Sequence, residues 1–266
     1  MKKQFIVAGM IVVLLVVGLS GCVKETETGV TAEEIKANML QAIEDIASYK
    51  YSSDVTVTMT TIKESESNTT EIVGIQNGEV DITYKKLRQD TNATTITAGI
   101  SDEQHWIFYI VDNILYSGNE TDGNITWTSM NTSMAWNAYS ALELYTLYLE
   151  GEGELKNVEV ERLADEVVEG VDCYVLHLTA FENQSGEEDS GQFPLQGYYY
   201  YELNIKYWIA KDDYLLIKTY FKVMSDSSRS YAFGEADRST TVQEMEALFN
   251  DYNVPVTIEL PPEAKD

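Results

Sequence analysis

The sequence predicts an α+β fold: an antiparallel sheet of about ten to eleven strands set against about three helices, held outside a membrane by an N-terminal anchor. Three observations lead there. Most of the chain alternates apolar and polar residues with a period of two, interrupted by turn residues, which is the pattern of half-buried strands. Three stretches instead repeat apolar residues every three or four positions, the helical period. Residues 1–21 carry the charged start, apolar middle and small-residue end of a secretory signal.

The anchor comes first. Lys2 and Lys3 precede a nearly unbroken apolar run from Phe5 to Val17, shorter than the roughly 20 residues a membrane span needs. Leu19-Ser20-Gly21-Cys22 follows and resembles the lipobox of prokaryotic lipoproteins. The resemblance implies cleavage before Cys22 and a diacylglycerol-type lipid on its sulfur, attaching the protein to the cytoplasmic membrane. An uncleaved N-terminal helix is the alternative; both place later residues on the outer face of that membrane. Residues 22–30 are polar and aperiodic and read as a flexible tether. Residues 31–266 read as one domain.

Removing residues 1–21 takes away two lysines and no acids, leaving 16 basic against 44 acidic residues, a net charge of about −28. Such a surface repels phosphate backbones, so nucleic acid is excluded as a partner. With Cys22 lipidated, Cys173 has no intrachain partner, so the fold rests on its core rather than on disulfides. Six Asn-X-Ser/Thr sequons, at Asn68, Asn92, Asn119, Asn124, Asn131 and Asn183, mark possible N-glycosylation on surface loops of an exterior protein.

Thr31-Ala-Glu-Glu34 has capping-box spacing and opens a helix whose stripe is Ile35, Met39, Ala42, Ile43 and Ile46, ending near Ser48. Val55, Val57 and Met59 alternate with threonines and make a strand. Lys63 to Thr70 is a polar turn. Strands over residues 71–99 break at Asn77-Gly78, a hairpin signal. A second hairpin turns at Asp112-Asn113 between Trp106–Val111 and Ile114–Tyr116. Gly118 to Asn124 reads as a loop with two sequons, then Ile125 to Met130 as a strand. Ser133 caps a second helix with Met134, Ala138, Ala141, Leu142, Tyr145, Tyr148 and Leu149 on its main stripe and Trp136, Tyr139, Leu144 and Leu147 widening it. A helix this apolar is buried or faces an apolar space.

Strands resume at Val158 to Val168 and at Cys173 to Phe181. Glu182 to Gln192 is acidic and reads as a long exposed loop. Tyr199, Tyr201, Leu203, Ile205, Tyr207 and Ile209 then alternate strictly; Lys211-Asp-Asp213 turns the chain; Leu215, Ile217, Phe221 and Val223 continue the alternation. Thr241-x-x-Glu244 opens a third helix to about Asp251, with Val242, Met245, Leu248 and Phe249 inward. Pro261-Pro262 ends regular structure.

Several segments carry a family resemblance: Ile43 to Met59, Gly78-Glu-Val-Asp-Ile-Thr-Tyr-Lys-Lys86, Gly170-Val-Asp-Cys-Tyr-Val-Leu176, Tyr207 to Lys218, and Phe249-Asn-Asp-Tyr-Asn-Val-Pro255. In this order the chain resembles the LolA/LolB and LppX/LprG superfamily of lipoproteins and lipid carriers, and is similar to archaeal lipoproteins of that type. The resemblance implies an open antiparallel half-barrel wrapped around helices, with an apolar cavity holding a lipid or other hydrophobic ligand. The wall candidates are Trp136, Tyr139, Leu142 and Tyr145 on the second helix and Leu203, Ile205, Ile217 and Phe221 on the facing hairpin.

The sequence lacks His-Glu-x-x-His, Gly-x-Ser-x-Gly, a phosphate-binding glycine loop and Cys-x-x-Cys, so no catalytic residue, cofactor or metal is expected. His105 and His177 read as structural, and Glu187-Glu-Asp189 as a solvated cluster without calcium-loop spacing. The expected function is a membrane-anchored binder or carrier of an apolar molecule. The alternative is an accessory surface module that binds an envelope protein and holds no internal ligand.

Overall fold

A computed structural model describes residues 29–63, 66–131, 136, 140–150, 157–189, 194–230 and 237–265. Cys22, with the whole anchor, and Tyr139 lie outside the described residues. Residues from Ala32 to Asp266 form one compact unit.

The fold is dominated by a single open antiparallel sheet of twelve strands. In chain order the elements are α1 (Ala32–Glu44), β1 (Ser48–Lys63), β2 (Glu66–Asp81), β3 (Lys86–Thr97), β4 (Ile100–Val111), β5 (Ile114–Thr121), β6 (Asn124–Asn131), α2 (Ala141–Glu150), β7 (Glu159–Arg162), β8 (Glu166–Val168), β9 (Val171–Asp189), β10 (Pro194–Ala210), β11 (Leu216–Ser230), β12 (Asp237–Asn250) and a 3₁₀ turn, η1 (Pro262–Ala264). Spatially they run β6-β5-β4-β3-β2-β1-β12-β11-β10-β9-β7, with β8 also on β9. The expected α+β half-barrel of ten to eleven strands around three helices is therefore corrected. The protein is mostly sheet, and its described helices are α1 and α2.

The largest correction is the third helix. Residues 237–250 form β12, which pairs with β1 from Lys50↔Asn250 to Ile62↔Arg238 and with β11 from Lys218↔Leu248 to Arg229↔Asp237. Two long strands flank this segment, and only a strand satisfies the backbone groups on both facing edges. Thr240, Thr241 and Val242, all β-branched, suit it. Its inward residues at this end are Ala247 and Phe249, 1% and 4% exposed, a period of two rather than four.

The two-residue turns follow their residues. Ala98-Gly99, Asp112-Asn113, Asp122-Gly123 and Glu169-Gly170 all place both central residues at positive φ, between 51° and 82°. That is the type I′ geometry that matches strand twist. Asn77-Gly78 is not a turn, and β2 runs straight through it. Gly78 is a glycine for a different reason. A Cβ there would lie 2.0 Å from the ring of Tyr51, which crosses β2 at this point. The Tyr51 hydroxyl thereby reaches Gln89 Oε1 on β3, donating at 2.7 Å. Of the segment expected as a loop, residues 182–192, the described part, residues 182–189, instead extends β9, which pairs with β10 out to Pro194↔Asp189; residues 190–192 lie outside the described residues.

The core lies where the helices meet one face of the sheet. Ile35 and Met39 of α1, Tyr49, Val80, Leu87, Ile110, Leu176, Leu178, Leu203, Ile205, Tyr207 and Leu216 are all within 1% of full burial. A smaller cluster sits on the opposite face, where Cys173, Val175 and Trp208 pack with Leu163, Val168, Ile217 and Tyr220.

Candidate functional site

The register of the strands sorts the helix-bearing face into rungs. Under α2 one rung reads Tyr207, Thr219, Ala247, Ser53. The next reads Leu178, Ile205, Phe221, Met245, Val55, Gly74, and the one beyond it Ala180, Leu203, Val223, Gln243, Val57, Ile72. These two outer rungs carry no charged side chain. They begin fully buried at β9 and β10 and become half-buried from Val223, Met245, Val55, Val57 and Ile72 onward; Met59, one rung farther, is 38% exposed. The result is an apolar strip from β10 to β2, about 19 Å across at a strand spacing near 4.8 Å.

Helix α2 closes one side of this strip, and tyrosines hold it there. The Leu142 amide donates to the Tyr49 hydroxyl at 3.1 Å, so β1 caps the first turn of α2. Ser140 Oγ lies 3.2 Å from the same hydroxyl. The Tyr207 hydroxyl donates to the Tyr145 carbonyl at 3.1 Å. The Tyr145 ring meets Phe221 and Phe249 edge-on, at centroid distances of 6.3 and 6.1 Å. The Tyr148 ring, one turn on, lies 6.1 Å from that of Phe221, centroid to centroid. Burial pushes the Tyr145 phenol up to about 12 and raises those of Tyr148, Tyr201 and Tyr207. All four are neutral hydroxyls at ordinary pH. The Tyr145 and Thr219 hydroxyls face each other in this core; Thr219 acts on Tyr145, but neither makes a bond of full geometry.

Of the wall candidates, Leu142, Tyr145, Leu203, Ile205 and Phe221 come together here, each no more than 6% exposed, and Trp136 is buried just before α2. The Tyr145 ring meets Phe221, and Leu203, Ile205 and Phe221 stand on adjacent rungs of the sheet. Ile217 does not join them. The register slips between Trp208 and Ile209, so Ile217 becomes the extra residue of a β-bulge and packs on the opposite face beside Trp208. Val55, Val57, Ile72 and Met245, which extend the strip, were not among the wall candidates. The Val55-x-Val57 and Phe221-x-Val223 alternations carried the signal, and the helical reading of β12 hid Met245.

On the outer face, cavities lined by described residues are polar. One of about 400 Å³ is bordered by Lys50, Ser52, Asn77, Glu79, Arg88, Asp90 and Asn250. A second of similar size adjoins His105. Both His105 nitrogens meet carboxylates, Nδ1 to Glu120 at 2.6 Å and Nε2 to Asp90 at 3.0 Å. The hydrogen bond to Glu120, with Asp90 adding to it, raises the His105 pKa. His177 lies between Glu161 and Asn204. Among the described residues, no group of three or more His, Cys, Asp or Glu is placed to hold a metal ion.

The six sequon asparagines are all exposed. They stand on strands rather than on the expected loops: Asn68 on β2, Asn92 on β3, Asn119 on β5, Asn124 and Asn131 on β6, and Asn183 on β9.

A pattern described as a family of unknown function, DUF6612, matches residues 31–266. The chain belongs to the DUF6612 family. No curated protein matches it. The DUF6612 chain is similar to a solved DUF1329 family protein from Desulfovibrio piger, at 13% identity over 86% of this chain and 96% of that one, with a TM-score of 0.25. It is also similar to a β-barrel-like protein of domain of unknown function DUF1849 from Brucella abortus, at 11% identity over 77% and 99%, again with a TM-score of 0.25. Superpositions this loose carry no argument about this DUF6612 protein. None of these matches indicates an enzyme.

Proposed function

We propose that this DUF6612 protein is a lipoprotein, lipidated at Cys22 on the outer face of the cytoplasmic membrane, that binds an acyl chain or other apolar molecule on the helix-bearing face of its sheet. The reading rests chiefly on the strip of Phe221, Val223, Met245, Val55, Val57 and Ile72. It continues the core out from under α2, has no charge, and is half-buried beyond Phe221. A soluble surface with a net charge near −28 after signal removal keeps such a strip only where something covers it. Each methylene laid on it contributes about 0.8 kcal/mol, so a long chain binds without charged recognition. The LolA and LppX-like resemblance of the sequence agrees with this ligand class.

The test is a titration of residues 30–266, free of detergent, with a fluorescent long-chain fatty acid, beside solvent extraction of the protein from its producing organism. Saturable one-to-one binding is expected, weakened about tenfold or more by Val57→Glu, since an unpaired carboxylate against the chain costs at least 1.4 kcal/mol. No extracted lipid and no saturable probe binding defeats the reading.

One observation favours an accessory protein-binding role instead. The outer faces of β1, β12, β11 and β10 carry no sequon and present paired charges, Lys218–Glu246, Lys222–Glu244 and Arg238–Asp226, each at 2.6 Å. Cross-linking on intact cells that trapped an envelope protein on these lysines would favour that role.

A further inference from the structure

The sheet has two ends, and they are built differently. At one end stands β7, four residues long, reading Glu-Val-Glu-Arg. Short length and charge are ordinary protections against edge-to-edge pairing. At the other end stands β6, eight residues reading Asn-Ile-Thr-Trp-Thr-Ser-Met-Asn. It has no charge, no proline and no lysine. It sits inside an uncharged run from Gly123 to Leu142, in a chain with 62 charged residues out of 266. Among the described residues, no strand pairs with its outer side, and the η1 turn touches it. Ile125 and Met130 are 41% and 58% exposed. By composition β6 is an aggregation-prone edge.

What β6 does have is a sequon at each end. Asn124 and Asn131 are its first and last residues, and Asn119 is on the neighbouring strand. Asn131 lies seven positions after Asn124, so their side chains leave opposite faces of the sheet, about 23 Å apart. The four central strands β1, β12, β11 and β10, where a bulky group would meet the helices or the strip, have no sequon.

We infer that N-linked glycans on Asn124 and Asn131 guard the open edge of this sheet, replacing the charges that other edges use. In each attachment the asparagine Nδ2 attacks the anomeric carbon of a lipid-linked oligosaccharide donor. An N–C bond forms, the C–O bond to the lipid phosphate breaks, the phosphate leaves with the electron pair, and the amide loses one proton. One glycan at each end, the two on opposite faces, blocks any strand approaching β6 along its length. The inference rests on the exterior location proposed above, and not on the apolar ligand.

The test uses the full chain purified from its producing organism. Glycopeptide mass spectrometry should find Asn124 and Asn131 occupied. The variant Asn124→Gln/Asn131→Gln, which keeps an amide at both positions, should shift at least half of the protein from monomer to dimer or larger by light scattering. Adding Ser129→Lys, a charge on the same edge, should restore the monomer. Unoccupied asparagines on a chain lipidated at Cys22 overturn the inference and leave the ligand proposal standing; unoccupied asparagines without lipid overturn the location with it. A double variant that stays monomeric, or a native glycosylated protein already paired through β6, also overturns it.

Discussion

Replacing Gly78 with alanine should destabilise the protein by about 3 kcal/mol, and the loss should vanish when Tyr51 is shortened. The added Cβ would stand 2.0 Å from Tyr51 Cε1 and 2.3 Å from Cζ, inside any permitted contact. The backbone at Gly78 is extended, so the alanine itself is unstrained, and its lower unfolded-state entropy returns about 0.5–1 kcal/mol. Against this, forcing the ring aside costs about 1–3 kcal/mol as overpacking. Moving it also breaks the 2.7 Å bond from the Tyr51 hydroxyl to Gln89, whose amide group is buried and keeps only Thr91 at 3.2 Å. Leaving that acceptor unpaired costs a further 1–3 kcal/mol or so. The measurement is a double-mutant cycle by urea unfolding, comparing Gly78→Ala in the wild type and in a Tyr51→Val background. A coupling energy of about 2 kcal/mol or more is expected. Were Gly78 a turn residue, as Asn77-Gly78 suggests in the sequence, its substitution would cost the same in both backgrounds; equal costs, or a loss below about 0.5 kcal/mol, refute the close-approach account.

Three further outcomes follow from the same contacts. Tyr207→Phe removes a buried donor to the Tyr145 carbonyl and should lower stability by about 1–2 kcal/mol without changing the far-ultraviolet circular dichroism, whereas an unchanged urea midpoint would detach Tyr207 from the hold on α2. The hydrogen bond to Glu120, with Asp90 adding to it, favours the charged form of His105 in the fold, where Arg88 lies beside Asp90 and Glu103 borders the adjoining cavity, so its folded pKa lies above the unfolded value near 6.5. Its stabilisation is therefore complete below about pH 6.5 and fades as pH rises through the folded pKa; the stability gap between wild type and His105→Gln should shrink from pH 5 to pH 9, and a pH-independent gap contradicts the assignment. Cys173 is fully buried with its thiol pKa raised by desolvation, so a maleimide should label it only after unfolding, and rapid labelling of the native protein would show that β8 does not cover it.

The sheet was legible in the sequence wherever one face met the core and the other met water. The β10 alternation from Tyr199 to Ile209 and the Asp112-Asn113 hairpin are local properties, and they appear where their residues place them. What stayed hidden was set by distant neighbours. Thr241-x-x-Glu244 and the apolar residues after it fit a helix, and only the unfilled gap between β1 and β11 makes them a strand. Ile217 continues the inward alternation on paper, and a one-residue bulge opposite Trp208 turns it outward. Asn77-Gly78 carries a turn signature, yet its glycine answers to a tyrosine twenty-seven positions earlier. The apolar strip was half legible for the same reason. Its β1 and β11 residues alternate visibly, while Met245 joins them only once β12 is known to be extended.

The seam between β1 and β12 has a kinetic consequence. Strands β1 to β6 join one another in chain order, and so do β9 to β12; these are two ribbons that can zip from their own turns. Among the described residues, the ribbons pair with each other at β1–β12, where Lys50 lies opposite Asn250. Closing a segment of that length costs about 5 kcal/mol of chain entropy before the first cross-seam bond forms. Pairing of such high contact order is slow. Because β12 is the last strand made, every emerging chain waits with the β1 side bare until residues 237–250 have arrived, and the central strip, which straddles the seam, is assembled last of all.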